Sequence, residues 1–245
     1  MKQIYLTAIL ILPLILSGQI ELIDTNLEFD GQKRSAFYYQ SPSKSETQEL
    51  HRAWKRFMRK EHDVKLNTYQ RDRKEEYKLE VIEQTIPAIS PLRLDLYTEI
   101  TDTQGGLRFI VFAAPGYDIY LGPGNYPDAY EKLKSIVKNF LIGFYSDYYP
   151  ERIKELNNII KGTEDQIKDL KKENNKKSDE NKELSRKITE DPENAKEYKD
   201  EISTILEEIE QNNDKIKTLK DKINRYNKMI DELKDKLSII ENQKI

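Results

Sequence analysis

Apolar residues recur at alternating steps of three and four through the last third of the chain, with almost only Lys, Glu, Asp and Asn between them. This heptad spacing, sustained over many turns, is typical of a coiled coil. The core positions form two runs: Ile153, Leu156, Ile160, Thr163, Ile167, Leu170, Asn174, Lys177, Asn181, Leu184 and Ile188, then Tyr198, Ile202, Ile205, Ile209, Asn212, Ile216, Leu219, Ile223, Tyr226, Ile230, Leu233, Leu237 and Ile240.

A short polar segment, residues 189–194, separates the two runs. Pro192 cannot continue a helix, because its ring removes a donor and clashes with the preceding turn, and Asp191 is a suitable N-cap. So short a connection favours a hairpin of antiparallel arms, each about 60 Å long. Folding about Pro192 places Asn174 opposite Asn212, where buried amides fix the register. The alternative is a parallel oligomer in which each arm pairs with its copy.

The preceding residues, 20–149, predict a small α+β domain. Strand-like runs occur at 20–29, 35–39, 64–81, 92–100 and 107–113, and the polar stretch 67–75 interrupts the third of them. Turn dipeptides predict hairpins at Asp30-Gly31 and near Gly105. The order β-β-α-β-β-β-α indicates an antiparallel sheet with two helices on one face.

Both helices of this domain are amphipathic. The first begins at one of two capping-box pairs, Ser43 with Glu46 or Ser45 with Gln48, and the second begins at Pro127, after Asn125 or Tyr126. Pro150 is expected to break or kink the second helix where the coiled coil begins. The apolar face of the first helix carries Leu50, Ala53, Trp54, Phe57 and Met58, and that of the second carries Tyr130, Leu133, Ile136, Val137, Phe140, Leu141, Phe144 and Tyr148.

Residues 1–19 have the pattern of a secretory signal peptide. Lys2 precedes an apolar run, 4–16, which ends before the small residues Ser17 and Gly18. The run is shorter than the roughly 20 residues of a transmembrane helix. We expect cleavage near Gly18 or Gln19, export across the inner membrane, and a mature protein without a membrane segment in the periplasm or cell envelope. An uncleaved anchor is the alternative. The organisation is then signal peptide 1–19, α+β domain 20–149 and helical hairpin 150–245.

Composition narrows the chemistry. Charged residues make up 35% of the chain, yet the net charge is only −3, which is typical of solvated helix faces and not of a nucleic-acid-binding surface. The chain has no cysteine, so disulfides, thiolate nucleophiles and lipoprotein anchors are excluded. Its two histidines, His51 and His62, stand among charged residues. No phosphate loop, G-x-S-x-G or H-E-x-x-H motif occurs, and we expect no metal or cofactor.

The loop 115–126 is the most suggestive local feature, because it combines Gly and Pro with Tyr117, Tyr120 and Tyr126. Tyrosine offers flat amphipathic contact area, and glycine and proline shape loops that present it. The loop is therefore a candidate site for a partner, a small molecule or a cell-envelope glycan. The alternative is that Ile119 and Leu121 form a short strand, with the tyrosine rings packed on the following helix.

Two charged features offer weaker sites. Arg52, Arg56 and Arg59 lie on the polar face of the first helix, which suits phosphates, acidic glycans or anionic lipid headgroups, although a solvated helix face is the simpler explanation. Asp95 and Glu99, with Glu80 and Glu83 nearby in sequence, could serve glycoside hydrolysis as paired carboxylates. The alternative is the solvent face of a half-exposed sheet.

A resemblance rests on three segments: a strand near Leu27-Glu28-Phe29-Asp30-Gly31, a helix carrying Trp54-Lys55-Arg56-Phe57, and Pro87-Ala88-Ile89-Ser90 leading into a hairpin. With the signal peptide, these segments resemble a group of secreted proteins of Gram-negative bacteria that have no assigned activity. The resemblance implies a small α+β domain followed by a Lys/Glu-rich coiled coil, over most of the mature chain.

These patterns together predict a non-enzymatic periplasmic or envelope protein. The α+β domain would bind a protein partner, and the coiled coil would act as a spacer or as an arm for self-association. A binding module for a small molecule or glycan at loop 115–126 is the alternative, followed by a hydrolase that uses Asp95, Glu99 or Glu83.

Overall fold

The computed structural model describes residues 19–29, 32–41, 46–70, 76–116 and 119–244. The chain groups into two compact units. The first extends to Asp147 and includes the C-terminal residues from Ser238, and the second is Tyr148–Leu237. The predicted signal peptide, apart from Gln19, and the predicted turn at Asp30-Gly31 lie outside the described residues.

Six antiparallel strands form one sheet in the first unit, in the order β1-β2-β6-β5-β4-β3. The α+β class predicted from the apolar pattern is confirmed. The strands are β1 Ile23–Phe29, β2 Gln32–Ser41, β3 Asn67–Gln70, β4 Glu76–Ile86, β5 Ser90–Thr103 and β6 Gly106–Ala114.

Strand β3 falls within the polar stretch that was expected to interrupt a strand. Val64 and Leu66, which were expected to begin that strand, precede β3 and are buried outside it. β3 lies at the edge of the sheet beside β4, and its register shifts between Thr68 and Gln70. An edge strand that is short and irregular needs few apolar side chains, so its sequence carries little strand signal.

Helix α1, Thr47–His62, packs on one face of this sheet through Leu50, Trp54 and Met58, which are fully buried. The indole N–H of Trp54 donates to Thr98 Oγ1 at 3.1 Å. The Trp54 ring meets Phe109 of β6, with ring centroids 5.5 Å apart, and Phe140 of the next helix, with centroids 4.8 Å apart. Both helices therefore lie on the same face, as predicted.

The two ends of α1 are capped differently. At its C-terminus Asp63 adopts a left-handed conformation (φ 54°), and the Val64 N–H donates to Met58 O at 3.0 Å, which closes a Schellman-type cap. At its N-terminus Glu46 makes no side-chain capping bond. Ser43 and Ser45, the expected capping residues, lie outside the described residues.

Helix α2, Pro127–Glu190, runs through Pro150 without ending, so of the break or kink expected there the break does not occur. A proline within a helix costs about 3 kcal/mol, because one backbone hydrogen bond is lost and its ring crowds the preceding turn. The nearby Tyr145, Tyr149 and Leu156 are all buried, and burial of large apolar side chains is of a size that can offset this cost. Pro127 stands at the first helical position, as predicted.

The second unit is an antiparallel hairpin of α2 and α3, Ala195–Glu241, joined by a short 3-10 helix at Pro192–Asn194. The predicted register is confirmed, because the Asn212 amide donates to Asn174 Oδ1 at 3.0 Å. One turn further along α2, Lys177 pairs with Glu208 of α3. The arms thus pair within one chain, and the parallel oligomer is not needed to bury their apolar positions.

The turn of the hairpin is held by side chains. Asp191 accepts hydrogen bonds from the Asn194 amide at 2.8 Å and from the Tyr198 hydroxyl at 3.3 Å. The Asn194 bond is the main reason that the pKa of Asp191 lies below its usual value. The predicted turn at residues 189–194 is confirmed.

Residues after Ser238 return to the first unit. Gln243 Oε1 accepts the Ile20 N–H at 3.0 Å, and Ile20 and Ile240 are both buried. The first unit is therefore assembled from two stretches of chain, and the bond that joins them links residues 223 positions apart in sequence.

We expect the double substitution Asn174→Leu with Asn212→Leu to raise the melting temperature and to make the pairing of the helices less specific. A buried polar pair specifies register at a cost in stability, so two leucines should favour both the hairpin and mixed assemblies. Circular dichroism melts and sedimentation velocity test this. Asn212→Leu alone is the control, and it should lower stability because Asn174 loses a hydrogen-bond partner. A purely monomeric double variant would contradict the specificity argument.

Candidate functional site

The face of the sheet opposite the helices, called here the outer face, carries a mixed aromatic and charged surface. Strand pairing places Tyr38 beside Ile110 and Tyr97 beside Phe112 on this face. Ala36, Ile110 and Phe112 are buried at its centre, and Leu27, Tyr38, Tyr97 and Tyr120 pack around them while remaining partly exposed. The sheet is therefore covered by helices on one face and by its own tyrosines on the other.

Ring contacts fix how these tyrosines stand. Tyr97 stacks on Phe112, with centroids 5.0 Å apart and planes 14° apart, and Tyr69 meets Tyr97 edge-on. The guanidinium of Arg108 lies over the Tyr38 ring, 5.1 Å from its centroid. Tyrosine and arginine together are enriched at protein interfaces, and Arg108 is exposed.

The loop that follows β6 covers part of the outer face. Tyr120 accepts a hydrogen bond from Arg34, whose guanidinium lies 4.2 Å from the Tyr120 ring centroid, and its ring also packs near Phe112. The Leu121 N–H donates to Ala113 O at 2.8 Å, and Leu121 is buried. Neither Ile119 nor Leu121 lies in a strand. Tyr120 thus packs on the sheet, not on the following helix.

Gly122 allows this close approach of the loop. A Cβ at Gly122 would lie 2.6 Å from Ser35 Oγ, so any other residue would push the loop away from β2.

The other two loop tyrosines differ from Tyr120. Tyr126 is 42% exposed and has a left-handed backbone (φ 56°) directly before α2, and the Tyr130 N–H donates to its carbonyl at 3.0 Å. Tyr117 lies outside the described residues. Tyr126 therefore has an exposed ring, whereas the Tyr120 ring packs against Phe112 and Arg34.

The basic residues of α1 lie on its exposed face, as predicted. Arg52, Arg56 and Arg59 are exposed, and none of them forms an ion pair or hydrogen bond with the residues that the structure describes. Lys60 on the same helix pairs with Glu61 at 3.2 Å. The three arginines therefore form a stripe of positive charge, called here the arginine stripe, with no ion pair among the described residues.

The carboxylates of β5 are not brought together. Asp95 and Glu99 are four residues apart on one strand, which separates their backbones by about 13 Å, beyond the roughly 5 to 9.5 Å of glycosidase pairs. Asp95 Oδ1 accepts the Glu83 N–H at 2.7 Å. Glu83 sits at a bulge with φ 51° and lies 3.9 Å from Arg93. Asp95 and Glu83 thus have local structural partners.

Glu99 has a perturbed environment. Its burial raises its pKa, the positive charge of Lys78 opposes this, and the negative charge of Glu76 adds to it. Lys78 lies opposite Glu99 on β4, and Lys78 Nζ is 3.5 Å from Glu76 Oε1. Glu99 and Glu76, which both lie near Lys78, form a polar part of the outer face.

A buried polar cluster at the start of α1 was not found from the sequence. Glu46 is only 3% exposed, and its carboxylate accepts hydrogen bonds from the Tyr145 hydroxyl at 2.7 Å and from Ser41 Oγ at 3.4 Å. Burial raises the pKa of the neighbouring Tyr39 to about 12, with a further contribution from the negative charge of Glu46. The cluster joins β2, α1 and α2. The two donors lie 5 and 99 positions from Glu46 in sequence, so no spacing identified it.

The histidines have packing roles. His51 stacks on Tyr77 with ring centroids 4.0 Å apart, and His62 meets Phe57 edge-on. Burial lowers the pKa of His62. Within the described part of the chain, no three His, Asp or Glu side chains are grouped so that they could hold a metal ion.

No family model, curated protein or solved structure matches the chain. A search for membrane-spanning helices, confined to the described residues, finds none that is both long and apolar enough.

We expect the stability of the protein to fall at high pH through Tyr39. The Tyr39 pKa is about 12 in the folded chain, against an ordinary value of 10.0 for an exposed tyrosine. The difference means that protonated Tyr39 contributes on the order of 2 kcal/mol to the free energy of unfolding. This stabilisation is fully present below pH 10 and is lost as the pH rises through about 12. Urea unfolding from about pH 9 to about pH 12 should therefore show a steeper loss in the wild type than in Tyr39→Phe. Tyr126→Phe, at an exposed ring, is the control, and equal slopes for all three proteins would contradict the assignment.

Proposed function

We propose that the chain is a non-enzymatic interaction protein. In this proposal the α+β unit binds a protein partner through the outer face of its sheet, and the helical hairpin serves as a spacer and assembly arm. The observation that carries the proposal is the pair of partly exposed tyrosines, Tyr38 and Tyr97, on the sheet face that neither α1 nor α2 covers, with the exposed Arg108 over the Tyr38 ring.

Physical chemistry supports a protein as the partner. Tyrosine side chains bury a large area at low entropic cost, because only two torsions are fixed on binding. Those of the outer face are already held by ring stacking, as Tyr97 is by Phe112, so little further ordering opposes association. Charged neighbours such as Arg108 and Glu99 would give the surface selectivity through complementary charge.

The hairpin supports the second part of the proposal. Its α3 alone has 47 residues and measures about 70 Å at about 1.5 Å per residue. Most of its apolar positions face the opposite arm, and its surface is mainly charged or amide side chains, although Ile159, Leu206 and Met229 are exposed. A long, self-contained polar arm is suited to holding bound components apart or to meeting another copy.

A second candidate is a small molecule or cell-envelope glycan bound at loop 115–126. The observation in its favour is the exposed ring of Tyr126, which the loop presents directly before α2. Tyr120 would contribute only its hydroxyl edge, since its ring packs near Phe112 and under Arg34.

The proposal includes export across the inner membrane, with the protein acting in the periplasm or cell envelope. We expect residues 1–19, which stand almost wholly outside the described residues, to be removed on export. N-terminal sequencing of the protein from a periplasmic extract should begin near Gln19 or Ile20. Replacing Leu10 and Leu12 by Lys within the apolar run should retain the full-length chain in the cytoplasm. Retained, uncleaved protein at the membrane in the wild type would support the anchor alternative.

The partner hypothesis is tested by cross-linking in cells, followed by affinity purification of the tagged full chain and quantitative mass spectrometry. We expect at least one enriched protein, and Arg108→Glu should lower its recovery at least fivefold, because the charge on the outer face is reversed. Lys132→Glu makes the same charge change at an exposed position of α2 and should leave recovery unchanged. Circular dichroism confirms that both variants fold.

Shortening the hairpin tests whether partner binding depends on the length of the arm. Removing residues 157–170 and 216–229 together keeps the heptad phase in both arms and the Asn174–Asn212 pair, while it shortens the hairpin by about 21 Å. This variant should still recover the partner.

Absence of any enriched protein, or equal recovery with Arg108→Glu, would overturn the role of the outer face. Retention on envelope glycan that Tyr126→Ala abolishes would support the second candidate instead.

A further inference from the structure

The arginine stripe of α1, Arg52, Arg56 and Arg59, is a surface of concentrated charge with no described partner. Steps of four and three residues place these side chains within about 60° of each other around the helix and along about 10 Å of its axis. Glu49, one turn earlier, is the neighbouring exposed carboxylate on this side. Side chains held this closely repel each other, and the repulsion is relieved when a complementary row of negative charge binds.

The surroundings of the stripe argue against a lipid surface as that partner. An interfacial helix binds membranes by inserting its apolar face beside its charges. In α1 that face is already used, because Leu50, Trp54 and Met58 are fully buried against the sheet and α2. The stripe therefore offers charge without an apolar face to insert, which suits a polar protein surface.

The chain itself carries a matching surface near the turn of the hairpin. Residues 179–210 hold twelve acidic and five basic side chains. Within this segment Glu193, in the 3-10 helix, and Glu197 and Asp200, in α3, repeat the steps of four and three residues. Glu201 and Glu208 extend the same side of α3, and Glu208 also pairs with Lys177. We call these five residues the acidic stripe.

The basic residues of this part of α3 lie away from the centre of the acidic stripe. At about 100° per residue, Lys196 and Lys199 stand about 100° and about 160° around the helix from Glu197. Glu193, Glu197, Asp200 and Glu201 are exposed, and none forms an ion pair with the residues that the structure describes. Acidic residues near a helix N-terminus are stabilised by the helix dipole, which explains the position of Glu193 and Glu197 but not that of Glu201.

We propose that the arginine stripe of one copy binds the acidic stripe of a second copy of this chain. This inference rests on the proposed role of the hairpin as an assembly arm. The spacing of the two stripes lets three arginines face three carboxylates along two helices laid side by side. Since every copy carries both stripes, contacts are either reciprocal within a dimer or continued from copy to copy.

The strength of such a contact can be bounded. Single exposed ion pairs contribute little each, so a network of three supports weak and reversible association that depends on salt. Exposed charges are screened over about 10 Å at about 0.1 M salt and over about 3 Å at about 1 M. Association should therefore be evident at low ionic strength and lost at high ionic strength.

The first experiment is sedimentation equilibrium of the mature full chain at about 50 mM and about 500 mM salt. We expect self-association at low salt and monomers at high salt. Arg52→Glu, Arg56→Glu and Arg59→Glu combined should lower the association constant at least tenfold. Glu193→Lys, Glu197→Lys and Asp200→Lys combined should do the same. The control reverses Lys217, Lys220 and Lys228 to Glu, at three exposed positions of α3 outside the acidic stripe, and it should retain association.

The decisive experiment mixes the two reversed variants. The three reversed positions then make both stripes of the first variant negative, and they give both stripes of the second a net positive charge, so the mixture should associate although neither variant does so alone. The six-fold variant, with both stripes reversed, should self-associate again. Misfolding or a nonspecific loss of solubility cannot produce this recovery.

Monomeric wild-type protein at low salt, or a mixture that stays monomeric, would overturn the docking of the two stripes. So would monomeric wild-type protein that binds vesicles containing anionic phosphatidylserine through the three arginines, because it would identify a membrane as the partner. Partner recovery by the outer face is measured separately, with Arg108→Glu. Failure of the stripes with intact partner recovery therefore leaves the proposed function standing, whereas loss of both would count against it.

Discussion

The first unit depends on the burial of Trp54. One side chain meets Thr98 of β5, Phe109 of β6 and Phe140 of α2, so α1 cannot dock without bringing the sheet and the next helix into the same core. Removing such a side chain from a core costs about 3 to 5 kcal/mol, a large part of the stability of a domain this size. Because this core takes both helices to one face, the other face is left to tyrosines that are already ordered by their neighbours.

The hairpin is stabilised in a different way. It has a narrow seam, and several layers of that seam are polar, among them Asn174 with Asn212 and Lys177, which pairs with Glu208. Such layers give up apolar burial in exchange for a single register. Its stability must therefore come from length, with many modest layers added along two arms. This explains how one chain contains both a dense aromatic core and an arm with almost no aromatic residues.

The strongly periodic parts of the fold could be predicted from the sequence. Heptads indicated the two arms, their turn and the Asn174–Asn212 pairing, because local spacing and a single proline determine all three. Strand alternation indicated β5 and the helix-covered face. Features that depend on distant residues could not be predicted in this way: a break was one of the two outcomes expected at Pro150, yet the helix continues through it among buried neighbours, and β3 has too few apolar residues to signal a strand. The same holds for the site. The exposed arginines followed from helix periodicity, whereas the packing of Tyr120 beneath Arg34 and the burial of Glu46 depend on residues brought together only by folding.

The hydrogen bond between Ile20 and Gln243 has a consequence for the order of events during synthesis. The whole hairpin is, in topological terms, an insertion within the first unit, since Ile240 joins a unit whose other members precede the hairpin. Contacts of such sequence separation form slowly, because a long loop must close before they are gained. A ribosome must finish nearly the entire hairpin before that core can be completed. The sheet and the residues around Trp54 are all synthesised earlier, so the contacts of Ile20 with the C-terminal residues are the last of this unit to form.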